Sequence, residues 1–238
     1  CVACVPERPV ACDEKPGKIS DMFKALFKND QAMTVVVSII LVYTSLNICG
    51  NLVLFFFRFD VGNEGAYSLF AAVAFAAQVL VMMVIPLLRK RFSKSQLFIS
   101  GFIIQIAGFA VILIMAFAKL YTPQSWYILC LPGILIYLGY GMLNVIMTIF
   151  LSDSVDYGEV MNGTREESVI FSMQTFTVKL ASGVAVFLAG LVVDWIHLDT
   201  AAAVQTQDTL DALRMWMTIP SVILLIVGIF VFKRFYKL

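Results

Sequence analysis

Lys179 stands inside SVIFSMQTFTVKLASGVAVFLAGLVVDW, residues 168–195, a stretch otherwise apolar enough to cross a bilayer. At 3.6 residues per turn, Ser168, Ser172, Thr175, Lys179, Ser182 and Val186 recur at steps of three and four, so five polar side chains share one helix face. Counted at about 1.5 Å per residue, Lys179 lies about 16 Å from Ser168, near the middle of a span. An ammonium at that depth costs about 2.5–3.5 kcal/mol unless a carboxylate or a wet cavity receives it. Two readings follow: a static ion pair, or the lining of a cavity that touches an ion or a polar substrate.

Other polar residues point to a cavity. Asn47, Asn51, Gln78, Gln105 and Asn144 each fall inside an apolar run, and together they predict a common water-accessible site. In LPGILIYLGYGMLN, Pro132 removes a backbone donor while Gly133, Gly139 and Gly141 loosen the helix, which predicts a kink or a moving gate. Downstream, SDSVDYGEVMNGTREES reads as a charged connection, with Asp153, Asp156 and Glu159 three residues apart and Arg165 beyond a turn at Asn162 and Gly163. These are solvated loop charges or parts of a gate.

Enzyme chemistry finds little purchase. The chain has no Walker-type phosphate loop, no HExxH and no GxSxG, so no catalytic residue is assigned. Cys1, Cys4 and Cys12 lack an evident fourth ligand, and the single histidine, His197, is expected across the membrane from them, so no metal site or cofactor is expected. Cys49 and Cys130 read as small apolar packing groups.

The elements that position these residues follow from composition. Of 238 residues, 61% are hydrophobic and only 14% charged, well beyond a soluble domain. Apolar runs at 34–57, 66–88, 96–118, 126–151, 168–196 and 213–232 are each long enough to span about 30 Å of hydrocarbon. Continuous runs such as VVVSIILVY contradict the alternation of a barrel. The expected fold is therefore an all-α membrane protein, a six-helix transmembrane bundle over 34–232, with a polar linker at 1–33 and a short tail at 233–238. In span five, Val169, Met173, Phe176, Leu180, Val184, Phe187 and Leu191 form a stripe fit for acyl chains, and Ala181, Ala185 and Ala189 a row for close helix approach.

Charge gives orientation. Arg8, Lys15, Lys18, Lys24, Lys28, Arg89, Lys90, Arg91, Lys94, Arg165, Lys233, Arg234 and Lys237 all fall on one side, against Arg58, Lys119 and Arg214, at the entry to the last span, on the other. Basic residues beside spans stay cytoplasmic, which predicts both ends of the chain in the cytoplasm and an inner (plasma) membrane location. The lipid bilayer is the expected partner; no nucleic acid is. A chain opening on Cys1 is expected to be part of a longer protein.

The run DSVDYGE, a basic residue, ES, and FSMQTFTVK with its lysine resemble the end of helix ten and helix eleven of the glycoside-pentoside-hexuronide cation symporters, the family of the melibiose carrier within the major facilitator superfamily. The resemblance is specific over residues 144–190 and looser elsewhere. LRKRFSK fits the basic loop after helix eight, and KISDMFKALFKND the stretch leading to helix seven, so the six spans correspond to helices seven to twelve. The resemblance implies the C-terminal half of a twelve-helix carrier whose sugar site lies between two bundles, with uptake of a sugar or glycoside coupled to sodium or a proton. It places Lys179, Gln174, Thr175 and Asn144 on the substrate and cation pathway, and Asp153, Asp156 and Arg165 at a cytoplasmic gate. The cation-binding acids lie mainly in the first six helices of such carriers, so an N-terminal bundle is the expected partner. Melibiose-type members carry a sugar-facing aromatic at the position of Asn144, which argues against a galactoside. A cation-independent facilitator or exporter on the same fold, or a non-transporting scaffold or sensor, are the alternatives.

Overall fold

Asn29 caps the first helix, which starts at Asp30, four residues before the apolar run. Its Oδ1 accepts from the Ala32 N–H at 3.0 Å, while its Nδ2 donates to the Ser154 carbonyl at 2.8 Å, so one side chain both caps the helix and ties it to a distant one. The computed structural model describes residues 29–162, 167–202 and 204–236. Its helices are α1 (Asp30–Phe55), α2 (Ala66–Leu88), α3 (Lys94–Phe117), α4 (Cys130–Asn162), α5 (Glu167–Trp195) and α6 (Gln207–Phe235). A π-helical turn, Phe56–Asp60, extends α1, and a 3-10 turn, Trp126–Leu129, leads into α4. Ser93 and Gln96 form a reciprocal capping box on α3, and Thr206 caps α6.

All six helices are long and apolar enough to cross a membrane, so the chain is a multi-pass membrane protein. Gln31 Nε2 donates to the Phe235 carbonyl at 3.5 Å, which puts the first and last described helix ends on one side. α1 is central, packing against α4, α5 and α6; α3 packs against α4 and α6, and α2 against α4. α4 and α5 meet little, each packing instead against α1.

Two expectations change. Residues 152–162 are helical and prolong α4. Val155 is buried there, Ser154 Oγ donates to the Phe150 carbonyl at 2.8 Å, and the helix runs on through Gly158, which packs against the Asn29 side chain. Asp153, Asp156 and Glu159 thus sit on a helix, not a loop. Nor do the glycines of α4 loosen it. A Cβ at Gly139 would stand 2.6 Å from the Gln105 nitrogen and the Gly101 carbonyl, and one at Gly141 2.6 Å from Val81 Cγ1. They are points where α3 and α2 approach α4 closely. Pro132 falls in the first turn of α4, where its missing N–H costs no helical bond.

At the end bearing Asn29, Phe98, Phe150, Phe232 and Tyr236 form an aromatic cluster with centroids 4.3–5.2 Å apart. Near Pro220, Ser45 and Ser221 exchange hydrogen bonds to each other's carbonyls at 3.1 and 2.8 Å, joining α1 to α6. Such a bond in a membrane interior contributes roughly 0.6 kcal/mol.

Candidate functional site

α5 seats on its neighbours through Ile170, Met173, Thr177, Ala181, Ala185, Ala189 and Val192, all buried. The alanine row read from the sequence is therefore its packing seam. Met173 belongs to this seam rather than to the exposed apolar stripe, which retains Phe176, Leu180, Val184, Phe187 and Leu191. Ser168, Ser172, Thr175 and Lys179 are exposed on the face away from the seam. Thr175 Oγ1 and Ser182 Oγ donate back to the Phe171 and Val178 carbonyls at 3.2 and 3.0 Å. Lys179 makes no hydrogen bond or ion pair with any described residue. Gln174 lies five residues from Lys179, about 140° around the helix, and is half-buried on the seam side.

The five amides do not converge. Asn47 and Asn51 donate to the Tyr43 and Asn47 carbonyls at 2.7 Å each, committing one of their two amide hydrogens to their own helix. Gln105 is fully buried where α3 meets α4, and neither of its amide atoms has a partner among the described residues. Gln78 lies against Gly141. Only Asn144 reaches across to another functional group: its Nδ2 donates to Tyr43 Oη at 2.6 Å. Tyr140 stands edge-on to Tyr43, with centroids 5.5 Å apart. Helix periodicity places residues on faces but cannot say which faces meet, and the α3–α4 seam claimed Gln105.

The structure also does not bring Lys179, Gln174 or Thr175 into hydrogen-bonding contact with Asn144 among the described residues. Between α1 and α5 lies a cleft of about 530 Å3, lined by Asn51, Phe55, Phe187, Gly190 and Asp194 among others.

Asp153 pairs within the bundle. Lys94 Nζ lies 2.7 and 2.6 Å from its two carboxylate oxygens, joining the start of α3 to α4. The Tyr236 hydroxyl is buried without a described partner, and burial, with the Asp153 charge added, pushes its phenol above the usual range. Asp156 is exposed on the next turn; Arg165 lies outside the described residues.

Sequence reasoning missed a buried cluster at the opposite end. Asp60, closing the π-helical turn, accepts from Arg214 Nη2 at 2.5 Å, Arg214 Nε at 2.9 Å and Tyr121 Oη at 2.5 Å. Arg214 Nη1 also donates to Asp211 at 2.6 Å. The Asp60 and Arg214 side chains are only 4% and 3% exposed, so Arg214 is no surface charge. Burial and the Asp60 carboxylate it donates to raise the Tyr121 phenol well above its ordinary value. Charges at the ends of two apolar runs were the available signal; their pairing was not.

Comparison with known proteins accords with this architecture. The chain is 25% identical over 220 residues to an uncharacterized symporter of Bacillus subtilis, covering 92% of this chain and 46% of that protein. It is 24% identical over 216 residues to the raffinose carrier protein of Pediococcus pentosaceus, 89% of this chain and 33% of the relative. With the isoprimeverose transporter of Lactiplantibacillus pentosus it shares 26% over 179 residues, 75% of this chain and 36% of the relative. The chain thus spans a third to a half of the length of these relatives. Residues 5–238 are matched by the family described as MFS/sugar transport protein, and the chain belongs to that family.

Proposed function

We propose that the chain is the C-terminal half of a secondary active transporter that moves a sugar or glycoside by alternating access, in symport with sodium or a proton. The family match over residues 5–238 carries this reading, and relatives named as a symporter, a raffinose carrier and an isoprimeverose transporter support it. Lys179, exposed at mid-span with no described partner, supports the placement of the pathway. A bare ammonium on a lipid face is costly, so the polar face of α5 is taken to oppose an N-terminal six-helix bundle across a wet cavity. Lys179, Thr175, Gln174 and Asn144 line or border that pathway, and the coupling ion binds mainly in the N-terminal half.

Asp153, Asp156 and Arg165 form the cytoplasmic gate in this reading. Asp153 is held by Lys94 in the present state, and exchange of that partner for one on the other bundle would accompany closure. The skew of basic residues supports an inner-membrane location with both ends cytoplasmic.

The test is uptake of tritiated raffinose and isoprimeverose into membrane vesicles bearing the full-length protein, with sodium and proton gradients imposed separately. Accumulation above equilibrium with one gradient is expected. Equilibration indifferent to both gradients would replace symport by facilitated passage, and absence of any sugar movement would overturn the reading.

A further inference from the structure

We propose that the groove between the start of α1 and the end of α6 binds one phosphatidylethanolamine-type lipid, with its phosphate on Arg234, its primary ammonium on Asp30 and an acyl chain laid along the two helices. The proposal requires only that the helices cross a bilayer, and it stands apart from the sugar-transport reading.

A cavity of about 570 Å3 opens between these helix ends, lined by Asp30, Met33 and Val37 of α1 and by Val231, Arg234 and Phe235 of α6. Beside it, Gln31 Nε2 donates to the Phe235 carbonyl at 3.5 Å and holds the two ends together. Each charge sits where its own helix dipole favours it, a carboxylate in the first turn of α1 and a guanidinium in the last turn of α6. Both residues are exposed. Opposite charges on one cavity could close on each other, yet among the described residues neither forms an ion pair. Asp30 Oδ2 accepts from the neighbouring Gln31 amide at 3.1 Å, and the Arg234 guanidinium lies 5.7 Å from the centroid of the Phe235 ring.

A lone anion would be repelled by Asp30 and a lone cation by Arg234, whereas a headgroup carrying both signs satisfies both. A primary ammonium can donate charge-assisted N–H bonds to the carboxylate. A quaternary ammonium has no N–H and seeks aromatic faces instead, and Phe235, the ring on this cavity, is already engaged by Arg234.

The lining beyond the charges selects a lipid over a small soluble zwitterion. On α6, Arg234, Val231, Val227, Ile223 and Pro220 recur at steps of three and four and share one face. Along that face a second cavity, of about 540 Å3 and almost wholly apolar, is lined by Ile219, Pro220, Ile223 and Leu224 with Ile48 of α1. Val37 and Ile48 lie about three turns apart, on one face of α1. From Arg234 to Ile219 is about 22 Å at about 1.5 Å per residue, enough for the roughly 15 Å of hydrocarbon that belongs to one leaflet. The groove is thus charged at the helix ends and apolar toward mid-span, the same gradient as a phospholipid.

In the experiment, the full-length protein is purified in detergent, delipidated and offered equal amounts of dioleoyl phosphatidylethanolamine and dioleoyl phosphatidylcholine, and bound lipid is counted by native mass spectrometry. The ethanolamine lipid is expected to be retained about fivefold over the choline lipid, the scale of one exposed ion pair. Asp30→Asn should erase that preference, and Arg234→Gln should weaken both lipids about fivefold. Val227→Trp, which fills the groove away from the charges, should weaken both lipids without changing their ratio. Lys233→Gln, beside Arg234 but off the cavity, should match the wild type. Glycerophosphoethanolamine, the soluble headgroup without chains, should not displace the lipid at equal concentration. Equal retention of both lipids by the wild type, a preference that survives Asp30→Asn, or equal losses in Lys233→Gln and Arg234→Gln would overturn the proposal. So would displacement by the soluble headgroup, which would show that the apolar groove holds no chain. Thermal midpoints check that each variant is folded, and either charge variant alone decides the matter if the other is not. None of these outcomes bears on the transport reading, which vesicle uptake tests separately.

Discussion

The Asp60 carboxylate and the Arg214 guanidinium, 154 residues apart in sequence, are joined by two hydrogen bonds of 2.5 and 2.9 Å in a site closed to solvent. The pair ties the π-helical end of α1 to the first turns of α6, and Tyr121 brings in the α3–α4 connection. Removing one partner strands the other charge, which costs roughly 3–5 kcal/mol, whereas an apolar replacement of both can be nearly neutral. Asp60→Leu and Arg214→Met are each expected to lower the thermal midpoint of the detergent-solubilised protein by several degrees. The double variant should recover most of that loss. Additive losses in the double variant would mean that the two residues are not energetically coupled, and would overturn the buried pair as the source of the single-variant losses.

The glycines of the bundle separate into two classes. Gly139 has no room for a methyl group, its Cβ position lying 2.6 Å from backbone atoms of α3, while Gly190 has nothing within 4 Å. Gly139→Ala should cost about 1–3 kcal/mol through overpacking, and Gly190→Ala should leave stability unchanged or raise it slightly. Equal tolerance, read by thermal unfolding, would restore the view of Gly139 as a flexible joint.

Lys179→Leu addresses coupling rather than folding. The side chain makes no described contact to lose, and leucine inserts readily in a span. The variant is expected to reach the membrane at normal levels and to lose gradient-driven accumulation of sugar in vesicles. Normal accumulation with unaltered ion dependence would show that the lysine plays no part in transport.

Orientation is checked with single cysteines in a background lacking the native ones. Val160 and Val204 are 84% and 83% exposed, at opposite ends of the bundle. Val160→Cys should react with an impermeant maleimide only from the cytoplasmic face, and Val204→Cys only from outside. Labelling of both from one face would contradict six crossings.

Much of this molecule was legible because the bilayer is a strict solvent. Unsatisfied backbone cannot be left in hydrocarbon, so each long apolar run had to become a helix, and all six did, to within a few residues at most ends. The exceptions are instructive. The helix start at Asn29 depended on a cap that also needed Ser154, and the continuation of α4 to Asn162 depended on burying Val155. For the candidate site, periodicity correctly set Lys179 on a polar face of α5 apart from the alanine seam, because rotation about a helix axis is fixed by 3.6 residues per turn.

What the sequence by itself determined, then, was one-dimensional: which segments cross, which side chains share a face, and which charges lie at which end. The tertiary structure alone decided which faces meet. It sent Gln105 into the α3–α4 seam, paired Asn144 with Tyr43, gave Asp153 to Lys94, and turned Asp60 and Arg214 from end-of-span charges into a buried pair. Each of these depends on the distance between residues far apart in the chain, set by how closely glycines and alanines let helices approach. No local pattern of residue types encodes that distance, because it is the joint outcome of packing all six helices at once.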